Sequence, residues 1–244
     1  MALTNFNLYE ITLDQLRKDR KGSITIEEFE KMLINRSIWL FKDLLPVDDR
    51  DSVTTTALSP FLVTNNAVAI SGSDPYQALY SAFTSSPAHI KSAYTIQSET
   101  KKWIDVVTPE ELAMRYSNAI TEPSASYPTA TVSPTSLYLQ GITSGSIYVT
   151  YYKNPAQPYL DYYLSSNGDY VYLSEDQSVY TLGSGEIARN GSTTTVTSQT
   201  AELEWNDNEK VLLVQYILSD LGIALKDQTV VQKSMAELQS SLLK

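Results

Sequence analysis

Cysteine is absent from the 244 residues, which rules out disulfides and thiolate metal sites. No apolar run reaches the roughly eighteen residues that a spanning helix requires. The opening MALTNFNLYEITL has neither a basic leader nor an apolar signal core, so synthesis and retention in a cytoplasm are expected. Histidine occurs once, at His89. Serine-histidine catalysis would have to use it, yet SPAHIKSAYT reads as the start of a strand, and no G-x-S-x-G elbow is present. A zinc site needs more ligands than the chain offers. Positive charge is also scarce: 18 Lys and Arg stand against 28 Asp and Glu, for a net charge of -10. Such a balance opposes a protein whose main task is gripping phosphate backbones. It suits a channel through which DNA slides without adhering.

Short motifs that resemble known sites fail on inspection. In RKDRKGSITIEEF, Gly22, Ile24 and Glu28 fall at the sixth, eighth and twelfth positions of a calcium loop, but Arg17 and Lys21 occupy ligand positions one and five. Two cations in that cage repel the ion. The stretch reads instead as one helix ending in basic residues at Gly22 and another starting at a Thr25/Glu28 capping box. GSGEIA, from Gly183, matches a dinucleotide pattern, yet RNGSTTTVT follows where a phosphate-binding helix should begin. Asp48, Asp49 and Asp51 share their segment with Arg50 and read as a solvated loop. No catalytic residue, metal ligand or cofactor site is assigned, and the expectation is a protein built for contacts and not for chemistry.

What is abundant is tyrosine: 17 in all, nine of them between Tyr148 and Tyr180. This points to β-structure with amphipathic faces. Three composition zones follow one another. Apolar positions at Ile26, Phe29, Leu33, Leu40 and Leu44 predict a helix from Thr25 to Pro46, preceded by one over Asn5 to Arg20. The middle is rich in Ser, Thr, Tyr and Val, with strand candidates SVTTTAL, HIKSAYTIQS, KKWIDVV, TSLYLQ, SIYVTYYK, DYVYLS and STTTVTSQTAELEW. SSNGDY and ARNGST read as Asn-Gly hairpin turns. Thr108 caps a short helix whose expected buried side is Leu112 with Tyr116. Helical periodicity returns at EKVLLVQYILSDLG, apolar almost all round, and continues in an amphipathic segment with Val231, Leu238 and Leu242 on one face.

The expected fold is therefore α+β. Residues 1–51 and 203–244 form a helical bundle, and 52–202 form a β-rich insertion, sandwich-like or barrel-like. Helical faces left over by the bundle would serve assembly; Leu213, Tyr216, Ile217, Leu221, Val231 and Leu238 are the candidate positions.

The order of several pieces resembles the head-to-tail connector, or adaptor, proteins of tailed bacteriophages, particularly the crAss-like phages of Bacteroidetes. The pieces are GSITIEEFEKMLINRSIWLFKDL; VVTPEELAMRYSN; the strand ending at Tyr151, Tyr152, Lys153, Pro155 and Pro158; Glu204 with Trp205; and Leu221, Gly222, Ile223 and Leu225. The resemblance covers most of the chain, apart from the Tyr/Ser/Thr segment between Pro158 and Thr200. It implies a structural virion protein and not an enzyme. A ring, commonly of about twelve copies, would dock below the portal protein, contact tail or neck proteins, and pass DNA through its lumen without specific binding. It would use no cofactor and no membrane. Other expected roles are another phage tail or capsid-decorating component, or a carbohydrate-binding surface module whose aromatic faces stack on sugars.

Overall fold

The computed structural model describes residues 3–19, 22–47, 52–72, 76–97, 99–173 and 179–222. In chain order its helices and strands are α1 (Asn5–Lys18), α2 (Ile26–Leu44), α3 (Ser52–Leu58), β1 (Leu62–Ala69), β2 (Tyr76–Leu79), β3 (Pro87–Gln97), β4 (Thr100–Val107), α4 (Pro109–Tyr116), β5 (Thr129–Val132), β6 (Ser136–Gln140), β7 (Ser146–Lys153), β8 (Tyr162–Leu164), β9 (Tyr170–Tyr172), β10 (Tyr180–Thr181), β11 (Ile187–Ala188), β12 (Thr195–Val196) and α5 (Asp207–Asp220). The chain thus mixes helix and strand, and it divides into two compact units. One comprises Met1–Pro60 and Pro155–Lys244; the other is Phe61–Asn154. Boundaries expected after residues 51 and 202 fall at 60 and 154, and described residues of the segment after 154 are bonded to α2 through Glu27 and Glu30.

In the first unit the local signals act as expected. The Thr25 hydroxyl accepts from the Glu28 amide at 3.2 Å, and the Glu28 carboxylate accepts from the Thr25 amide at 3.1 Å. These two bonds satisfy donors that the first turn of α2 would otherwise leave orphaned. Gly22 adopts φ +101°, the left-handed conformation that separates α1 from α2 at no Cβ cost. Ile26, Phe29, Leu33 and Leu40 are buried as one stripe. Helix α5 packs against both α1 and α2, which explains why its sequence is apolar nearly all round. Its buried Lys210 donates from Nζ to the Leu3 carbonyl at 2.7 Å, and Asp207 Oδ1 accepts from the Leu3 amide at 3.1 Å.

Residues 155–202 are tied down by a buried polar clasp. The Arg189 guanidinium donates to both Glu30 oxygens, at 2.7 and 3.3 Å, and to the Leu160 carbonyl at 2.6 Å. It lies 4.2 Å from the Tyr159 ring centroid. Glu30 also accepts from the Leu160 amide at 2.9 Å, and Glu27 accepts from the Tyr162 hydroxyl at 2.5 Å. Every charge removed from water here has a partner, the condition under which a buried ion is tolerated.

Beside the clasp, Tyr163, Leu173, Leu182, Ala188 and Val196 form a small separate core. The Tyr163 and Tyr180 hydroxyls hydrogen-bond at 2.9 Å, their rings stacked with centroids 4.8 Å apart. That bond first, and burial second, push the Tyr163 hydroxyl up to about 12. Raising a folded-state pKa above the unfolded value adds stability that is complete below the ordinary tyrosine pKa and is lost as pH rises through the raised one. In an alkaline titration followed by tyrosinate absorbance, Tyr163 should ionise in the last group. Tyr180→Phe should advance that group to lower pH, and an unchanged titration would refute the hydroxyl pair.

Several sequence expectations are corrected. SVTTTAL is helix α3 and not a strand, because Thr54, Ala57 and Leu58 recur at helical spacing and are buried. Packing overrides the β-preference of three threonines. STTTVTSQTAELEW yields only the two-residue β12 and an isolated bridge at Ala201. Hydroxyls of Ser192, Ser198 and Thr200 donate to backbone carbonyls there, competing with a strand ladder. SSNGDY does close the β8–β9 hairpin, with Gly168 at φ +85°. ARNGST makes a tight turn, but the strands beside it pair elsewhere, β11 with β8 and β12 with β10.

The second unit is a seven-stranded sheet of order β1-β7-β3-β4-β5-β6-β2. A bridge between Ser71 and Gln77 links its two edge strands, so the sheet curls upon itself. Its core includes Val68, Phe83, Leu137, Leu139, Ile147 and Tyr151. Strands β4 and β5 run parallel, joined through α4. The Thr108/Glu111 capping box of α4 is formed, yet Leu112 is only half-buried and Tyr116 is exposed, its hydroxyl donating to Gln140 at 2.9 Å. The helix therefore lies on the surface, contrary to its expected buried side.

Regular pairing breaks down between β3 and β4. Strand β3 runs beside β7 along its length, but β4 pairs with it only from Ala93 to Gln97. From Asp105 onward β4 pairs with β5. The two strands fork.

Candidate functional site

In the first unit an apolar strip follows the outer line of α2. Met32 and Trp39, seven residues apart, share that line, and Trp39 is 64% exposed. Between them Arg36 reaches across to α5. Its Nε donates to Asp220 Oδ2 at 2.7 Å, its Nη2 bonds the other oxygen, and its guanidinium carbon lies 5.8 Å from the Tyr216 ring centroid. This fork-to-fork pair fixes the C-terminal turn of α5 against α2. Beyond it, Leu16, Ile24, Met32 and Leu221 line a groove of about 410 Å³ with Glu28 and Lys31 among its walls.

The six expected assembly positions separate accordingly. Leu213 and Ile217 are fully buried within the chain, so they are core residues and cannot meet a second molecule. The reason is that α5 has helices against two sides, which leaves only part of its apolar circumference open. Tyr216 is 39% exposed and stacks under Arg36; Leu221 is half-buried in the groove. These two belong to the strip. Val231 and Leu238 lie outside the described residues. Sequence reading missed Arg36 and Trp39. A signal was available, since Trp39 stands about 100° around the helix from the Phe29–Leu33–Leu40 stripe at 100° per residue, and a large apolar side chain off the stripe has no core to enter.

A second exposed group lies in the other unit. Tyr148, Tyr94 and Trp103 stand directly opposite one another on β7, β3 and β4. Tyr148 and Tyr94 stack with centroids 5.0 Å apart, and Trp103, 61% exposed, meets Tyr94 edge-on at 5.6 Å. The Lys101 ammonium lies 3.8 Å from the Tyr94 centroid and 4.0 Å from that of Trp103. Cross-strand aromatic rows of this kind stiffen a sheet and also present a stacking surface.

Charge is uneven between the units. Residues 61–154 hold five basic and six acidic side chains, against 13 and 22 in the remainder. The chain matches no family model and no curated protein.

Proposed function

We propose that the protein is a structural adaptor of a tailed-phage neck, forming a closed ring that joins the portal to the tail and surrounds the DNA path. In this reading the N- and C-terminal helices form the portal-docking bundle, and the β-rich insertion faces tail components. The observation that carries it is the strip of Met32, Arg36, Trp39, Tyr216 and Leu221, which supports the ordered resemblance to adaptor proteins. Interfaces concentrate their binding energy in Trp, Tyr and Arg, and the strip supplies all three on one side of the helical unit. Ring closure needs two different faces of each copy to meet, so the strip is one half of a heterologous contact. The acidic excess in the helical unit keeps DNA from adhering to a lumen it would line.

The test is electron microscopy of the purified protein mixed with the portal protein of the same phage. A coaxial ring on the portal is expected. Trp39→Ala should leave folding stability within about 0.5 kcal/mol, as exposed positions do. It should weaken ring or portal binding by about 2 kcal/mol, roughly thirtyfold. A protein that stays monomeric beside its portal, or a Trp39→Ala ring that assembles as well as the parent, would overturn the proposal.

The aromatic row favours a second reading, a carbohydrate-binding module. Its rings offer apolar faces to sugar C–H groups in a unit with nearly balanced charge. Glycan-array binding that is abolished by Trp103→Ala, without loss of fold, would select this reading over the adaptor.

A further inference from the structure

The fork between β3 and β4 encloses a cavity of about 590 Å³. One wall is Pro87–Ser92 of β3 and the other is Ile104–Val106 of β4; Val132 at the end of β5 contributes, with Ser133 and Pro134 from the β5–β6 turn. On the β7 side, Pro87, His89 and Ile90 face Lys153, Tyr152 and Tyr151. On the cavity side, no strand lies beside Pro87–Ile90 among the described residues. Just past the last β3–β4 pair, Ala93 with Ile104, the Asp105 amide donates to the Pro128 carbonyl at 3.0 Å, on the side where β4 has joined β5. Two strand flanks thus face one another across a space large enough for a ligand.

Backbone donors and acceptors at a strand flank need partners, and the ligand whose groups recur at the matching spacing is another extended backbone. That selects a peptide over a sugar or a nucleotide. Charge narrows the choice further. His89 and Lys91 lie on the β3 wall, and among the described residues of the lining the one acid, Asp105, is bound by Arg115 Nη2. Pro87, the lysine and two register shifts, at Pro87/His89 and Ile90/Ser92, are features that discourage indiscriminate edge pairing. In particular, two copies paired about Lys91 would bring two ammonium groups together, a register that is disfavoured where an acidic strand is attracted.

We infer that the fork is a peptide-binding site, in which an extended segment of a partner protein carrying Asp or Glu adds as a strand to the open flank of β3. This is strand addition, with main-chain bonds supplying affinity and the cavity selecting side chains. It is independent of the adaptor reading, since it concerns the second unit whatever the first one docks to.

The probe is a display library of random twelve-residue peptides selected on the full-length protein, with enriched peptides resynthesised for binding measurements. Peptides combining β-branched residues with Asp or Glu are expected. N-methylation of at least one alternate set of their backbone nitrogens should weaken binding tenfold or more. Lys91→Glu should weaken it similarly. Because Lys91 Nζ lies 3.5 Å from the Tyr152 hydroxyl, Ser133→Trp, which fills the cavity from the turn, serves as a second variant with the same expected loss. Thermal melts confirm that the variants are folded. No enrichment over a control selection, indifference to both N-methyl sets, a preference for basic peptides, or unchanged binding by both folded variants would each overturn the inference.

Discussion

Arg189→Ala should lower the unfolding free energy by about 3–5 kcal/mol, the cost typical of removing one partner from a buried ion pair. Glu30 is buried, and its two oxygens take bonds from Arg189 and from the Leu160 amide. Without the guanidinium a carboxylate remains in a poorly solvated position with one neutral donor, and the Leu160 carbonyl also loses its bond. Arg189→Lys should recover little, because an ammonium cannot span both Glu30 oxygens and the carbonyl in one plane or stack on Tyr159. Replacing Arg189 and Glu30 together with methionine and leucine should restore part of the loss, since no orphaned charge is left, although the Leu160 amide and carbonyl both lose their side-chain partners. Urea unfolding of the three variants measures this. An Arg189→Ala midpoint within error of the parent would show that the clasp contributes nothing.

Acid stability should change in the same variant. Burial raises the Glu27 carboxyl, but the Tyr162 hydroxyl, a backbone hydrogen bond, Arg189 and Lys31 together outweigh it and hold the group below the ordinary carboxylate range. A depressed pKa contributes stability above the unfolded value that disappears as pH falls through the folded one. Removing Arg189 deletes one of the lowering causes. Acid unfolding of Arg189→Ala should therefore begin at a higher pH than that of the parent.

The second large effect is expected at Trp205→Ala, again about 3–5 kcal/mol, the range for deleting a buried aromatic side chain. Trp205 is 2% exposed, and its indole nitrogen donates to the buried Ser37 hydroxyl of α2 at 2.8 Å. The indole fixes the entry to α5 against α2, so its loss opens a cavity and leaves a hydroxyl without its donor. Trp205→Phe should cost less, because most of the volume survives. Of the three tryptophans, Trp39 and Trp103 are largely exposed and Trp205 is not. The blue-shifted part of the emission should vanish with Trp205→Ala alone. Equal stability of Trp205→Ala and Trp39→Ala would refute this account of the packing.

Legibility varied with the range of the interaction. The Thr25/Glu28 capping box and the Thr108 cap were readable because the partners lie within one turn, and so was the α5 end at Gly222, which adopts φ +76°. The Phe29–Leu33–Leu40 stripe followed from period alone. The partners of those elements did not. Tyr116 has the right spacing for a buried face yet sits on the surface, and Leu213 and Ile217, read as assembly positions, are enclosed by α1 and α2. Periodicity marks which face is apolar but not whether this chain or another covers it.

By itself, the amino-acid order determined where the capped helices α2 and α4 begin and where α5 stops, which turns are tight, that thiol chemistry is excluded, and that the charge is strongly acidic, since each depends on composition or on neighbours a few positions apart. Only the folded chain decided that Arg189 meets Glu30 across 159 residues, that β4 leaves β3 for a parallel partner, and that Trp39 and Tyr216 remain outside while Ile217 does not. Those outcomes depend on how surfaces from distant segments compete for burial, and no local pattern encodes the winner.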